Sequence, residues 1–285
     1  MRAAAVGGGH GTAVSLRALK LLTSDVTGIV SVADDGGSTG RLRAMLNVAA
    51  VGDLRKCLGA LADPENPLTR SFEHRFSVGE LAGHAVGNLL LVGLVDATGD
   101  LEESVLALAE VMGVTGSIIP ASTTGVVLCA STEEGDTRGQ SAIADSATIR
   151  RISIDPENAA APIRAVEAIE RADVVVVGPG SLFTSVIAAA AIPGITQALA
   201  GTSARVIYVA NLHPEIPETT GYSLQAHVDA LARHGVFPDV VLVDREGEYA
   251  NDPCSLPTHV APLSRSGGLV HDVQHLSDAI RAATR

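Results

Sequence analysis

Tryptophan is absent from this chain and aromatic residues make up only 2% of it, which excludes a core built on large rings. With 46% hydrophobic residues, the interior has to be Val, Ile, Leu and Ala, as central parallel strands favour. Cysteine is scarce too. Cys57, Cys129 and Cys254 lie far apart, no C-x-x-C occurs, and the odd count argues against a disulfide framework, so the expected compartment is the cytoplasm. Basic residues are outnumbered, 20 Lys and Arg against 32 Asp and Glu, for a formal net charge of −12. Such a chain repels polyanions, and neither nucleic acid nor an anionic membrane is expected as a partner. Met1 leads within two residues into the first strand, so no apolar leader is expected. The longest apolar run, Val174 to Ile195, is split by Gly178-Pro179-Gly180 into a β-branched strand and a helix, with hydroxyls at Ser181, Thr184 and Ser185, and does not read as a membrane span. H-E-x-x-H, G-x-S-x-G and histidine-cysteine clusters are also missing, which leaves zinc and serine hydrolases without support.

Linkers, repeats and charge blocks are likewise absent, so residues 1–285 read as a single domain. Strand-like and helix-like apolar segments alternate from end to end, the pattern of an α/β protein with a mostly parallel sheet covered by helices. The clearest local signal is AAAVGGGHGTAVSLRALKLL from Ala3. Short apolar residues run into Gly7, Gly8, Gly9 and Gly11, after which Val14, Leu16, Ala18, Leu19 and Leu22 recur mainly at helical spacing. A strand, a glycine turn and a helix make an anion site, because the first helical N–H groups are free and the helix dipole adds positive charge. The dinucleotide fingerprint is matched only as Gly7-x-Gly9-x-x-Thr12, with Asp34 near the place of a ribose-binding acid, and no Lys-Ser or Lys-Thr follows to make a Walker loop. By itself the turn therefore fits NAD, a nucleoside diphosphate or a plain tight turn.

Other segments carry polar groups to the same edge. Asp34-Asp35-Gly36-Gly37 follows the second strand, and adjacent carboxylates in a glycine loop suit either a hydrated Mg²⁺ or hydrogen bonds to a ring or sugar. Gly178-Pro179-Gly180-Ser181-Leu182-x-Thr184 repeats the strand-turn-helix logic, and two such turns fit a diphosphate or a two-substrate site. Asn211 falls at another strand's carboxyl end. Asp53 is explained as a helix N-cap, and His84 and Asn88 share a helical face. The His74-Arg75 pair, bracketed by Phe72 and Phe76, reads as buried, either as core or reaching a base or sugar. Glu218 to Tyr222 reads as a polar loop that serves as a lid or partner surface.

In order, GGGHGTAVSLRALK, VADDGGSTGRLR, GDLRKCLGALAD, HRF, GHAVGNLLL, IIPAS, GPGSLFTS and AN followed by a Thr-Gly-Tyr loop resemble the YvcK-type gluconeogenesis factors of bacteria, relatives of the CofD 2-phospho-lactate transferases. That resemblance implies a three-layer αβα Rossmann-like fold. It also implies a cytoplasmic regulator of cell shape and gluconeogenic growth that binds a UDP-sugar such as UDP-N-acetylglucosamine. Carried onto this chain, Gly8, Gly9, His10, Gly11 and Thr12 would surround the diphosphate. Gly178, Gly180, Ser181, Leu182 and Thr184 would hold the other end, and Asn88 and Asn211 would fix the base or sugar. The transferase relatives imply an alternative, Mg²⁺-dependent phospholactyl transfer from a nucleoside diphosphate donor, with Asp34 and Asp35 as catalytic and metal-binding residues. Two departures stand out: His10 replaces the frequent Thr of GGGTG, and GGSTGRLR follows the gluconeogenesis factors rather than the transferases. Mg²⁺ is the one cofactor considered, with no flavin or NAD, and a homo-oligomer is expected.

Overall fold

The computed structural model describes residues 1–46, 48–265 and 268–284. In chain order the elements are β1 (Ala3–Gly7), α1 (Gly9–Lys20), β2 (Val26–Val30), α2 (Gly37–Leu46), α3 (Gly52–Leu61), α4 (Pro67–Phe72), α5 (Val86–Thr98), α6 (Leu101–Val111) and β3 (Ser117–Pro120). There follow β4 (Val127–Thr132), β5 (Asp136–Arg138), α7 (Gln140–Ala144), β6 (Ile149–Asp155), α8 (Ile163–Glu170) and β7 (Val174–Val177). A π-helix, Leu182–Ile187, runs into α9 (Ala188–Ala190), and α10 (Pro193–Gly201), β8 (Arg205–Val209), α11 (Leu224–Arg233), β9 (Val240–Asp244), β10 (Thr258–Ala261) and α12 (Val273–Ala283) complete the chain.

Seven strands form one sheet in the order β10-β9-β8-β7-β1-β2-β3, every pair parallel. Every residue of β1 and β7 is buried, because helices cover both faces of the sheet and aliphatic side chains are the only ones that fit there. On one face α1 packs against α3 and α12; on the other the π-helix and α9 lie on β1, and α8 packs against α10. The expected α/β architecture with a mostly parallel sheet is present. A second, antiparallel sheet, β5-β4-β6, is inserted between β3 and β7 and brings α7 with it. The apolar run from Val174 is divided among β7, the π-helix with α9, and α10, the two helical parts meeting at 83°. Among the described residues no single helix is long and apolar enough to cross a membrane.

Strand order matters most for function. Numbering runs away from β1 on one side through β2 and β3, and on the other through β7, β8 and β9, so the topological switch point lies between β1 and β7. Ligands of open α/β sheets bind in the crevice at the carboxyl ends of such a pair.

Several local expectations are corrected. Val51 is the N-cap of α3, so Asp53 sits inside its first turn, 3% exposed. His84 precedes α5, whose first residue is Val86, and meets Asn88 by another route described below. His74 and Arg75 are exposed, since only Phe72 of that segment enters the core. The Glu218–Tyr222 loop is no lid: Glu218 and Thr219 are buried at 3% and 0% exposure.

Candidate functional site

The two glycine turns sit side by side at the switch point. Ser15 Oγ, on the first helix, donates to the Gly178 carbonyl at 2.6 Å and ties the turns together. Gly11 is where they touch: a Cβ there would lie 2.0 Å from the Pro179 carbonyl oxygen, closer than any side chain tolerates. Gly9, at φ +67°, makes the left-handed bend that starts α1. Gly8, Gly9, His10 and Gly11 line a recess of about 290 Å³ with Gly180 and Ser181. Thr12 stands behind the turn instead, donating through Oγ1 to the Gly8 carbonyl at 3.1 Å. Partial burial and the Lys56 charge lower the His10 pKa, so its ring is neutral at physiological pH.

Of the second turn, Gly180 and Ser181 face the recess; Gly178 supports it from behind, and Leu182 is fully buried. Asn211 holds the turn in place, its Oδ1 accepting from Gly180 N at 2.8 Å and its Nδ2 donating to Gly180 O at 3.1 Å. Thr184 gives its hydroxyl to Glu218 Oε2 at 2.9 Å, while Phe183 N donates to Glu218 Oε1 at 2.7 Å. Glu218 thus caps the π-helix, and burial pushes its pKa up to about 7. Because Asn211 satisfies both backbone groups of one residue, Asn211→Leu should leave them bare. We expect a loss of about 2 kcal/mol in stability, read by urea unfolding.

The structure parts the adjacent aspartates. Asp34 lines the recess, and burial followed by the nearby Asp53 charge raises its pKa. Asp35 turns the other way, where Oδ1 accepts from Ser141 N at 2.9 Å and Ser141 Oγ at 2.8 Å and anchors α7. The carboxylate that joins Asp34 comes from Asp53, which α3 lays against the first turn: a side chain on Gly8 would begin 2.5 Å from Asp53 Oδ2. Lys56 Nζ, 3.0 Å from Asp53 Oδ1, is the cation of this group.

Beyond Asp34 and Lys56 the recess opens into a larger one of about 580 Å³ lined by Ser38, Asn88 and four cations, Arg41, Arg55, Lys56 and Arg75. Ser38 Oγ accepts from Asn88 Nδ2 at 3.1 Å and lies 3.0 Å from His84 Nδ1, so His84 and Asn88 converge on one hydroxyl. Asn88 Oδ1 is buried without a partner. On the opposite side, a slot of about 310 Å³ shares His10, Gly11, Gly180 and Glu215 with the central recess. Asp53, Lys56 and Glu215 went unread in the sequence as site residues. Asp53 looked like a cap, Lys56 entered only as part of the GDLRKCLGALAD run without a role of its own, and Glu215 sits between prolines that read only as loop.

A model of the family described as 2-phospho-L-lactate transferase CofD matches residues 4–259. The chain is 40% identical over 306 residues to a putative gluconeogenesis factor of Deinococcus radiodurans, taking in 98% of this chain and 65% of that protein. It is 40% identical over 252 residues to a gluconeogenesis factor of Halalkalibacterium halodurans, 86% of this chain and 77% of that one. This chain thus spans about two thirds of the Deinococcus relative's length. The fold matches the crystal structure of a member of the UPF0052 family from Bacillus halodurans with a TM-score of 0.91 and 36% identity, over 98% of each chain. A family match that starts in β1 and ends in β10, and two-fifths identity to gluconeogenesis factors on the same scaffold, lead to one conclusion: the chain belongs to the CofD family, in its gluconeogenesis-factor group.

Proposed function

We propose that this gluconeogenesis factor is a nucleotide-sugar-binding regulator that takes a UDP-sugar such as UDP-N-acetylglucosamine and serves cell shape and growth on gluconeogenic carbon sources. One observation supports the reading: two glycine turns, each at the carboxyl end of a central strand, stand next to each other at the switch point, joined by Ser15 and Gly11. The free N–H groups of the first turn donate to a phosphate, and the Ser181 hydroxyl of the adjoining turn, which lines the same recess, would meet a second phosphate linked to it. Lys56 adds the only ammonium among the residues lining the central recess. The neighbouring volumes, about 310 and 580 Å³, leave room for the groups on either side of a diphosphate.

Thermal unfolding with UDP-N-acetylglucosamine, GDP, GTP and NAD tests this. A ligand at about 100 times its Kd adds about 2.7 kcal/mol of stability, a clear rise in Tm. The UDP-sugar should give that rise, and a rise with NAD alone would sink the reading.

Transferase activity is a second reading, favoured by the Asp34 and Asp53 carboxylates that face the phosphate recess. Oxygen donors beside a diphosphate suit Mg²⁺, which keeps waters and binds through one or two carboxylates plus phosphate oxygens. Among the described residues no group of three or more His, Cys, Asp or Glu side chains is placed to hold a metal ion. Asp34 and Asp53 would hold the ion, which would neutralise diphosphate charge when bound. Mg²⁺-dependent turnover of a nucleoside diphosphate donor, lost in Asp34→Asn, is the result this reading requires.

A further inference from the structure

The three volumes along the carboxyl edge of the sheet differ in chemistry from one end to the other. The slot on the β8 side has apolar walls, among them Val14, Leu212, Leu269 and Val270. Leu269 and Val270 are exposed at 82% and 53%, an apolar surface that a flat ring would cover. His271 lines the same slot, with a buried Nε2 that lacks a hydrogen-bond partner. Burial pushes its pKa down to about 4, so it offers a neutral polar edge. At the opposite end, the large recess has no apolar side chain among its lining residues and carries the arginines. A base there would have only guanidinium planes to stack on, beside the charges that suit an anionic or polar group, whereas the slot supplies an aliphatic surface.

Glu215 stands where the slot meets the phosphate recess and lines both. Its backbone is fixed by Thr219, whose Oγ1 accepts from Glu215 N at 2.8 Å, and Asn211 Nδ2 lies 3.4 Å from Oε1. A carboxylate only accepts hydrogen bonds and repels phosphate, so its natural partner at that junction is a pair of hydroxyls. Between a base and a diphosphate, that pair is the ribose diol. Asp34, which by sequence spacing held this role, lies on the far side of the phosphate recess, on its border with the arginine-lined end.

We propose that the cleft takes its nucleoside diphosphate in one orientation, with the base in the Val14–Leu269 slot, the ribose diol on Glu215, the diphosphate across the two glycine turns and the distal group toward Arg41 and Arg75. This rests on the nucleotide reading above and adds direction and specificity to it. The orientation makes the protein selective for ribonucleotides through a residue in the β8–α11 loop.

Titration calorimetry with UDP, 2′-deoxy-UDP and inorganic pyrophosphate tests it. The wild type should prefer UDP over 2′-deoxy-UDP by at least tenfold, and Glu215→Gln should bring the two within about twofold while pyrophosphate affinity, which also reports an intact fold, is kept or rises, since a charge that repels phosphate is gone. Leu269→Ser should weaken UDP by about fivefold or more and leave pyrophosphate unchanged, since a lost apolar contact is felt only by the base. Equal binding of the two nucleotides by the wild type would overturn the orientation alone. So would a ribose preference erased by Asp34→Asn and kept by Glu215→Gln. Binding of pyrophosphate but no nucleotide would remove the nucleotide reading and the orientation together.

Discussion

Gly11→Ala should destabilise the protein by about 3 kcal/mol, the upper end for overpacking, and reduce nucleotide affinity at least a hundredfold. The added Cβ meets the Pro179 carbonyl oxygen at 2.0 Å and the Pro179 carbonyl carbon at 2.5 Å. Both are backbone atoms, so no rotamer change relieves the clash and the second turn has to move. That movement also strains the 2.6 Å bond between Ser15 and Gly178 and the pair of Asn211 bonds that hold Gly180. Helix propensity works in the opposite direction: alanine is favoured over glycine by about 1 kcal/mol inside a helix. Gly93→Ala in α5, where nothing lies within 4 Å of the new Cβ, supplies the control and should stabilise. Equilibrium unfolding in urea measures both variants. A neutral Gly11→Ala would mean that the two turns do not bear on each other as described.

The second large effect is pH-dependent and belongs to Glu218. Burial raises its pKa from 4.5 to about 7, against the opposing pull of Phe183 N and the Thr184 hydroxyl. Since the folded state holds the proton more tightly than the unfolded chain, this group's contribution to stability is full below pH 4.5 and is lost as pH rises through about 7. One pKa unit corresponds to about 1.4 kcal/mol, so the loss on reaching pH 8 is on the order of 3 kcal/mol. Glu218→Gln keeps an acceptor for Phe183 N, replaces the oxygen that accepts from Thr184 with an NH2 toward which the hydroxyl turns as acceptor, and does not ionise. The difference in unfolding free energy between variant and wild type should therefore shift in the variant's favour by about 2–3 kcal/mol between pH 5 and pH 8. Taking the difference cancels titrating groups that do not interact with Glu218, such as Asp34, while Glu215, whose charge helps raise the Glu218 pKa, contributes in the same direction. A difference that stays constant across that range would refute the assignment.

Much of the scaffold was legible because it is written locally. Short aliphatic strands, glycine turns and amphipathic helices follow one another in the sequence, and β1, β7 and the turns after them lie where periodicity and glycine placed them. Asn88 was legible too, as a polar residue on an apolar helix, although the hydroxyl it meets belongs to Ser38, fifty positions away. The acidic pair was misleading. Neighbours in sequence need not share a target, and while Asp34 reaches the recess, Asp35 serves α7. Leu182 and Thr184, read as ligand contacts, are drawn into the interior by the π-helix and by Glu218.

The sequence by itself determined the class of fold, the family and the two glycine turns that follow β1 and β7, since each depends on residues within a few positions of one another or on their order. Only the tertiary structure decided that the turns adjoin, that Asp53 and Lys56 face the first of them, and that Glu215 rather than Asp34 lies between the slot and the phosphate recess. Those facts depend on strand order and helix docking, which bring residues more than a hundred positions apart into contact through packing that no local pattern encodes.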